Sequence, residues 1–335
     1  MALELSPKQA GEVADSTYAL RLSDNMIDAA AGAAAARDDF AIVSGQRLTG
    51  ATGIGPASRT TGFGYIAFGK SGPRQGECLL AIRGTEKSSA HDWLTNTHMA
   101  GVQGPGGYTV HAGFWNLAAG ILPQIQGGLR GRNPSLIHAV GHSLGGATAT
   151  LIADALNRSH VADIKLYTFG APRAGIENHA SALTRNLGRH NIFRAYHHTD
   201  PVPMVPVFPY AHVPFEEDAC LLHGCGTLIS VDAHLMPTYL ASVGNQTWPQ
   251  LPQGAASGAR SAAPPLPPGA AAHRQRVVGA ESAASRGRPD NLRGRRRQPA
   301  GCCRAERHEP GLREGRSASC GASSRSNWLK AQTTA

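Results

Sequence analysis

The chain has 335 residues, of which 41% are hydrophobic, and its 32 basic and 23 acidic side chains give a formal net charge of +9. Residues 251–335 hold 15 of the basic and 5 of the acidic side chains, which leaves 17 basic and 18 acidic side chains for the rest. The hydrophobic fraction argues against a wholly disordered chain. Because the excess of basic side chains lies in residues 251–335, a basic nucleic-acid-binding face on the folded part is excluded as the starting interpretation. No apolar run is long enough to predict a transmembrane helix.

The first predicted element is a helix near the N-terminus, where Ser6 can cap it, Pro7 fits its first position and Gln9 completes a capping box. The residues before it lack a basic start followed by an apolar run, so no Sec-type signal peptide is predicted. A cytoplasmic location is then the default, with export by a route without an N-terminal signal as the alternative. The six cysteines are accordingly expected to be reduced thiols.

Strand-like and helix-like patterns then alternate along the chain, after an alanine-rich stretch over Asp28–Arg37 that is predicted to be helical. The predicted strands are Phe63–Phe68, Cys78–Ile82, Tyr108–His111, Ser135–Val140, Ile164–Phe169 and Ile192–Tyr196, and the predicted helices among them are Phe114–Leu129 and Ala147–Leu156. The first two strands flank a turn at Gly72-Pro73. This alternation predicts an α/β fold with a largely parallel central sheet and helices on both faces.

The composition changes near Gln246, where prolines, alanines and glycines are followed by an arginine-rich stretch without hydrophobic periodicity. Such a segment cannot bury enough apolar surface to offset its conformational entropy. Residues 246–335 are therefore predicted to be a disordered tail behind a single domain over residues 1–245. Truncation after about Gly244 is expected to leave the thermal midpoint nearly unchanged.

The strongest chemical signal is Gly141-His142-Ser143-Leu144-Gly145, which follows a predicted strand and precedes a predicted helix. This pattern is typical of a nucleophile elbow, in which a serine at a tight strand-to-helix turn adopts a strained backbone conformation. Side chains two positions before or after the serine would collide with neighbouring strands, and glycine removes that collision. The helix N-terminus next to Ser143 supplies backbone N–H groups and the positive end of a helix dipole.

A serine hydroxyl needs a base and an orienting carboxylate to act as a nucleophile, and in this architecture both follow it in the chain. Asp200 comes just after a predicted strand, at the edge where open α/β sheets bind ligands. The alternative carboxylates, none of which is as well placed past a strand end, are Asp163, Glu177 and Asp218. Spacing alone leaves three histidines open as the base, namely His212, His223 and His234.

Six short motifs occur in a fixed order along the chain. They are Arg83-Gly84-Thr85, Asp92-Trp93-Leu94, Val110-His111-Ala112-Gly113-Phe114, the Ser143 motif, Phe169-Gly170-Ala171-Pro172-Arg173 and Asp200-Pro201-Val202-Pro203. Over about Leu5 to Val243 the chain resembles the class 3 lipases, the fungal-lipase-like branch of the α/β-hydrolases. The family's closing motif, a histidine with an aromatic residue soon after it, is matched by His234 and Tyr239, whereas Tyr210–Val213 resembles a separate segment without the catalytic histidine.

The resemblance implies an α/β-hydrolase fold with Ser143 as nucleophile, His234 as general base and Asp200 as the residue that orients His234. It also implies an oxyanion hole made by the backbone N–H groups of Thr85 and Leu144. The implied reaction is hydrolysis of lipid carboxylic esters through an acyl-enzyme, with no metal and no cofactor. Triacylglycerol is the first substrate expected, and the alternatives are a phospholipase of the A1 type, a short-chain carboxylesterase and a catalytically silent lipid-binding protein.

In this family the segment after the oxyanion threonine forms a lid, which here would be about Glu86–Thr97. Trp93 and Leu94 share one helical face of that segment and are candidates for contacting the acyl chain of a substrate. The alternative is that both residues anchor an ordinary core helix. The expected partner is a lipid ester at an oil–water or membrane interface, and nucleic acid is not an expected partner. The default expectation for the oligomeric state is a monomer.

Overall fold

The computed structural model describes residues 4–20, 38–52, 59–85, 100–213, 219–222 and 228–252. All of them fall within one unit, Met1–Pro264, while a second unit, Pro265–Ala335, lies outside the described part. The predicted helix Asp28–Arg37, the predicted lid segment Glu86–Thr97 and most of the predicted tail also lie outside it.

Eleven strands occur in the described part of the chain. They are β1 (Phe40–Thr52), β2 (Arg59–Gly69), β3 (Glu77–Ile82), β4 (Gly101–Gln103), β5 (Thr109–His111), β6 (Leu136–His142), β7 (Asp163–Phe169), β8 (Gly175–Ile176), β9 (Ile192–His197), β10 (Tyr210–Ala211) and β11 (Cys220–Leu222). The central sheet has the order β1-β2-β3-β6-β7-β9-β11, and β10-β8-β5-β4 form a second, smaller sheet.

The central sheet is antiparallel at one edge and parallel elsewhere. β2 pairs with β1 and β3 in antiparallel register, and the connection between β2 and β3 contains the predicted turn, in which Gly72 has φ 63°. From β3 through β6, β7 and β9 to β11 every pairing is parallel. All residues of β3 and β6 are buried, as expected for parallel strands that are covered on both faces. The prediction of a largely parallel sheet is confirmed.

Helices cover both faces of this sheet. The described α-helices are α1 (Pro7–Ser16), α2 (Ala112–Leu129), α3 (Leu144–Arg158), α4 (Glu177–Leu187) and α5 (Met236–Val243). The predicted capping box of α1 is confirmed, because Ser6 Oγ accepts from the Gln9 N–H and Gln9 Oε1 accepts from the Ser6 N–H, each at 3.1 Å. None of the described helices combines the length and the hydropathy needed to cross a bilayer.

Alternating residues of the parallel strands belong to two different cores. Leu80 of β3 and Leu166 of β7 join the core formed with α2, α3 and α4. Leu79 and Tyr167, one position away on the same strands, join the core formed with α1 and α5. Since side chains alternate across a strand, the sheet is packed by helices on each side, as the sequence predicts.

Several described elements have no counterpart in the sequence predictions. These are β1, the two- and three-residue strands β4, β8, β10 and β11, and the helices α4 and α5. Strands of two or three residues are too short to show a period-2 pattern, and α5 has only eight residues. The two cysteines in the described part, Cys78 and Cys220, are buried reduced thiols, which agrees with the prediction for them.

The carboxyl ends of the parallel strands bring the candidate residues to one edge of the sheet. Arg83–Thr85 follow β3, Ser143 follows β6, Gly170 follows β7, and Asp200 lies three residues past β9. Parallel strands end at the same edge, where α/β folds bind their ligands. The sheet topology therefore gathers residues that are more than 100 positions apart in the chain.

The packed body continues beyond the predicted boundary at residue 245. Trp248 is 4% exposed, lies against the ring of Phe193 with centroids 5.1 Å apart, and donates from Nε1 to the Leu5 carbonyl oxygen at 2.8 Å. Leu251 is also buried, and the carbonyl oxygen of Pro252 accepts from the N–H of Leu221 in β11 at 2.9 Å. Residues up to 252 are thus part of the core that contains α1 and α5.

This packing reverses the expectation for a chain shortened at Gly244. We expect truncation after Gly244 to lower the thermal midpoint by about 10 °C, because it removes the buried Trp248 and Leu251. Truncation after Pro252 keeps both side chains and should retain the midpoint of the full chain. Scanning calorimetry of the two shortened proteins tests this, and equal midpoints would show that Trp248 does not stabilise the body.

Candidate active site

Ser143 lies at the junction of β6 and α3, where its backbone adopts φ 57° and ψ −134°. A positive φ costs a residue with a side chain roughly 1–3 kcal/mol and persists only where the surrounding structure enforces it. Here the Ser143 N–H donates to the carbonyl oxygen of Phe169 at 3.0 Å, and the Ser143 carbonyl accepts from Gly146 in the first turn of α3. The strand–turn–helix geometry predicted for this motif is confirmed.

The two glycines of the motif are required by close backbone packing. A Cβ at Gly145 would collide with the Ile82 carbonyl group at the end of β3, whereas a Cβ at Gly141 would collide with the backbone of Gly145. The predicted collision with neighbouring strands is therefore confirmed for Gly145 and wrong for Gly141, which faces the elbow itself. Glycine at both positions lets α3 begin directly behind the serine.

The side chains of Ser143, His234 and Asp200 form a continuous hydrogen-bonded chain. His234 Nε2 lies 2.9 Å from Ser143 Oγ, and His234 Nδ1 lies 2.8 Å from Asp200 Oδ2. Since a carboxylate only accepts, Nδ1 donates to Asp200, and Nε2 is left to accept from the serine hydroxyl. All three side chains are buried. The structure thus brings together the three residues that the resemblance selected.

The carboxylate of Asp200 is fully buried and receives three hydrogen bonds. Its Oδ1 accepts from the Val202 N–H at 2.9 Å, and its Oδ2 accepts both from His234 and from the Tyr239 hydroxyl, the latter at 2.7 Å. Burial, and next the negative charge of Asp200, raise the pKa of Tyr239 well above its ordinary value, so this hydroxyl remains a donor. These donors fix which carboxylate oxygen faces His234.

Gly170 is a site residue whose role the sequence analysis did not assign. It follows β7 with φ 53°, and a Cβ there would lie 2.8 Å from both Asp200 Oδ2 and the Tyr239 oxygen and 3.1 Å from His234 Nδ1. Only glycine fits between the strand end and this cluster without displacing it. The sequence signal was available, since Gly170 belongs to one of the six motifs and directly follows a predicted strand.

The segment after β3 passes beside the serine. A Cβ at Gly84 would lie 3.1 Å from Ser143 Cβ, so this backbone approaches Ser143 closely. Thr85 Oγ1 is buried and has no hydrogen-bond partner among the residues that the structure describes. Leu144 is the first residue of α3, where a backbone N–H has no partner within the helix. Of the two residues predicted for the oxyanion hole, Leu144 thus adjoins Ser143 in the chain, and Thr85 directly follows the backbone that approaches Ser143.

The other predicted candidates are not part of this cluster or cannot be placed. His212 is buried away from it, with Nε2 2.7 Å from the Pro203 carbonyl oxygen, and burial lowers its pKa well below the ordinary value. Asp163 and Glu177 are exposed at the starts of β7 and α4. The candidates that lie outside the described residues are His223, Asp218, Trp93 and Leu94.

Comparison with known families agrees with the motifs. The model of the family described as lipase (class 3) matches residues 79–210, a segment that contains Ser143 and Asp200 and ends before His234. Over residues 79–210 the chain is therefore similar to the class 3 lipases. The predicted resemblance to this family is thereby confirmed.

Two of the individual relatives of this segment are fungal lipases. Secreted mono- and diacylglycerol lipase 1 of Fusarium solani is 34% identical over 185 residues, which are 52% of this chain and 50% of that protein. Secreted mono- and diacylglycerol lipase A of Penicillium cyclopium is 33% identical over 159 residues, which are 45% of this chain and 49% of that protein. The chain thus spans about half the length of the curated relatives it matches.

A solved structure supports the assignment of the fold. It is a triacylglycerol lipase with a serine protease triad as its catalytic centre, and it matches with a TM-score of 0.51 and 20% identity over 68% of this chain and 91% of that chain. At this identity the likeness shows the fold alone. The described body of the chain has the α/β-hydrolase fold that the sequence predicts.

Proposed function

We propose that this protein hydrolyses carboxylic ester bonds of lipids, that its substrates are acylglycerols, and that Ser143, His234 and Asp200 are its catalytic triad. The observation that carries this proposal is the buried hydrogen-bonded chain from Ser143 Oγ through His234 to Asp200. A histidine that only packs in a core does not need its two ring nitrogens aligned between a serine on an elbow and a carboxylate.

Acylation starts when His234 Nε2 accepts the proton of Ser143 Oγ while this oxygen attacks the carbonyl carbon of the ester. The carbonyl electron pair moves onto its oxygen, and the resulting oxyanion accepts hydrogen bonds from the backbone N–H groups of Leu144 and Thr85 and from the Thr85 hydroxyl. Each such donor is worth about 3 kcal/mol, because it meets charge that develops only in the transition state. The bond to the alcohol oxygen then breaks, and His234 transfers its proton to that oxygen.

Deacylation repeats the sequence with water. His234 Nε2 accepts a proton from a water molecule whose oxygen attacks the acyl carbon, and the same donors hold the oxyanion. When the bond to Ser143 Oγ breaks, His234 returns the proton to this oxygen and the fatty acid leaves. In both steps the Asp200 carboxylate keeps the ring oriented and stabilises its cationic form.

Among lipid esters, mono- and diacylglycerols are the substrates that we propose first. The two fungal relatives at 34% and 33% identity are mono- and diacylglycerol lipases. This choice differs from triacylglycerol, the first expectation from the resemblance, because the triacylglycerol lipase with the same fold shares only 20% identity. Phospholipids and dissolved short-chain esters are the alternatives, since all these reactions use the same catalytic groups.

The test is fatty-acid release by the purified full chain, titrated at constant pH. Separate samples contain emulsions of monoolein, diolein and triolein, vesicles of phosphatidylcholine, and a dissolved short-chain ester. We expect the fastest release from the monoolein and diolein emulsions, with Ser143→Ala as the matched control. Faster release from triolein or from the vesicles would reassign the substrate class, and release only from the dissolved ester would indicate an esterase.

The non-enzymatic alternative is a lipid-binding protein of the same fold. It predicts binding to the emulsions without any release that depends on Ser143. A correctly folded wild-type protein that releases fatty acid from none of the five samples would overturn the proposed function and favour this alternative.

A further inference from the structure

The turn that carries His234 is held by two other buried histidines. His234 is the last residue of the 3-10 helix Val231–His234. His142 Nε2 lies 2.7 Å from the His234 carbonyl oxygen, and His197 Nδ1 lies 2.7 Å from the carbonyl oxygen of Ala233. Two consecutive carbonyl groups of this turn are thus bound by imidazole rings. The rings come from the ends of β6 and β9, which have β7 between them in the sheet.

The tautomer of His142 follows from its two partners. A carbonyl oxygen only accepts, so Nε2 carries the proton and donates to the backbone of His234. Nδ1 then accepts from the Tyr18 hydroxyl, whose oxygen lies 2.6 Å away. Desolvation by burial raises the pKa of Tyr18, so its hydroxyl keeps the proton that it donates. Tyr18 therefore selects the tautomer in which His142 can hold the turn.

His197 has the opposite arrangement of ring nitrogens. Its Nδ1 must carry the proton, because this nitrogen faces the carbonyl oxygen of Ala233. Nε2 lies 3.0 Å from the hydroxyl of Ser242 on α5, from which it accepts. The ring stacks on Tyr239 with centroids 4.2 Å apart, and the His197 N–H donates to the Tyr239 hydroxyl at 3.2 Å. His197 is therefore held at both ring nitrogens and by its stack on Tyr239.

His142 remains neutral while the base beside it changes charge. The rings of His142 and His234 have centroids 4.6 Å apart, and Tyr239 approaches His142 edge-on at 5.8 Å. Burial, and next the charge of His234, lower the pKa of His142 well below its ordinary value. When His234 becomes cationic, His142 therefore keeps a single proton on Nε2 and continues to donate to the turn.

We propose that His142 and His197 are positioning residues for the turn that carries His234. The inference rests on the function proposed above, in which His234 is the general base. The physical reason is that proton transfer requires His234 Nε2 to stay on the line to Ser143 Oγ, and a displacement of about 1 Å costs about 100-fold in rate. Two N–H donors on consecutive carbonyl groups restrain both translation and rotation of the turn.

The two ring nitrogens allow a test by complementary substitutions. The side-chain nitrogen of asparagine lies near the position of a histidine Nδ1, and that of glutamine near the position of Nε2. His142 uses Nε2, so His142→Gln preserves the donor and His142→Asn removes it. His197 uses Nδ1, so His197→Asn preserves the donor and His197→Gln removes it. If the two histidines only filled space, there would be no reason for glutamine to be tolerated better at position 142 and asparagine better at position 197.

The readout is covalent modification of Ser143 by a p-nitrophenyl phosphonate ester, which needs no knowledge of the natural substrate. We expect His142→Asn and His197→Gln to lower the maximal rate of inactivation by about 10- to 100-fold, with little change in the half-saturating concentration. His142→Gln and His197→Asn should stay within about threefold of the wild type. Thermal midpoints measured on all four variants separate loss of positioning from loss of folding.

The possible outcomes distinguish this inference from the proposed function. A labelled wild type together with equal rates for the asparagine and glutamine variants at each position would overturn the inference and leave the proposed function intact. The same holds if the loss of rate follows the thermal midpoint instead of the position of the donor. If the folded wild type is not labelled at Ser143, the proposed function fails, and the inference fails with it.

Discussion

Replacement of Ser143 with alanine is expected to lower kcat/KM for ester hydrolysis by about 10⁴-fold or more. Alanine removes the oxygen that lies 2.9 Å from His234 Nε2, and without it no acyl-enzyme can form. The donors at Leu144 and Thr85 would remain and account for the residual rate. The measurement is titration of fatty acid released from monoolein, compared with the wild type at equal concentration.

Ser143→Gly separates the chemical role of this position from its backbone strain. Both substitutions remove the nucleophile, but glycine adopts φ 57° without the strain that alanine keeps. We expect Ser143→Gly to be more stable than Ser143→Ala by about 1 kcal/mol, which raises the midpoint by about 3 °C. Equal midpoints would show that the elbow is unstrained, and turnover close to the wild-type rate in either variant would exclude Ser143 as the nucleophile.

Asp200→Asn should reduce kcat by about 10⁴-fold without unfolding the protein. The Val202 N–H donates to Oδ1, so the amide oxygen of asparagine would occupy that position and its NH₂ group would face His234. A donor there forces His234 Nδ1 to accept, which moves the ring proton to Nε2. The ring could then no longer take the proton of Ser143. Tyr239 would lose its acceptor as well, since its hydroxyl donates to the same Oδ2.

A matched control for this change is Asp163→Asn. Asp163 is a carboxylate that the sequence also offers for the triad, but it is exposed at the start of β7. The same chemical change there should leave kcat within about twofold of the wild type, as for other exposed positions away from the site. If Asp200→Asn also retained wild-type kcat on monoolein, Asp200 would not be the residue that orients the base.

Local patterns in the sequence were sufficient to predict the elbow. Gly141, Ser143 and Gly145 lie within five positions, and the flanking strand and helix show their own periodicities. A tight turn depends on the residues that form it and on their immediate neighbours, so this information is local. The position of Asp200 past a strand end was predictable for the same reason. The resemblance to class 3 lipases added His234, which spacing alone left undecided among three histidines.

The folded structure was needed for the residues that support His234. Tyr18, His142 and His197 come from three distant parts of the chain, and each histidine holds one carbonyl group of the same turn. Nothing in the sequence around His142 or His197 specifies which carbonyl it reaches. The contact depends on the order β6-β7-β9 and on where the turn after β11 returns to the sheet edge. Burial of Trp248 against β9 likewise depends on tertiary packing.

By itself the sequence determined the alternation of strands and helices, the strained turn at Ser143 and the chemical groups available for ester hydrolysis. It could do so because backbone conformation and burial periodicity are set over a few consecutive residues. Only the tertiary structure decided which oxygen of Asp200 faces His234, why position 170 requires glycine, and which nitrogens of His142 and His197 carry the proton. These features depend on atoms that meet across the sheet edge, where separation in space is unrelated to separation in the chain.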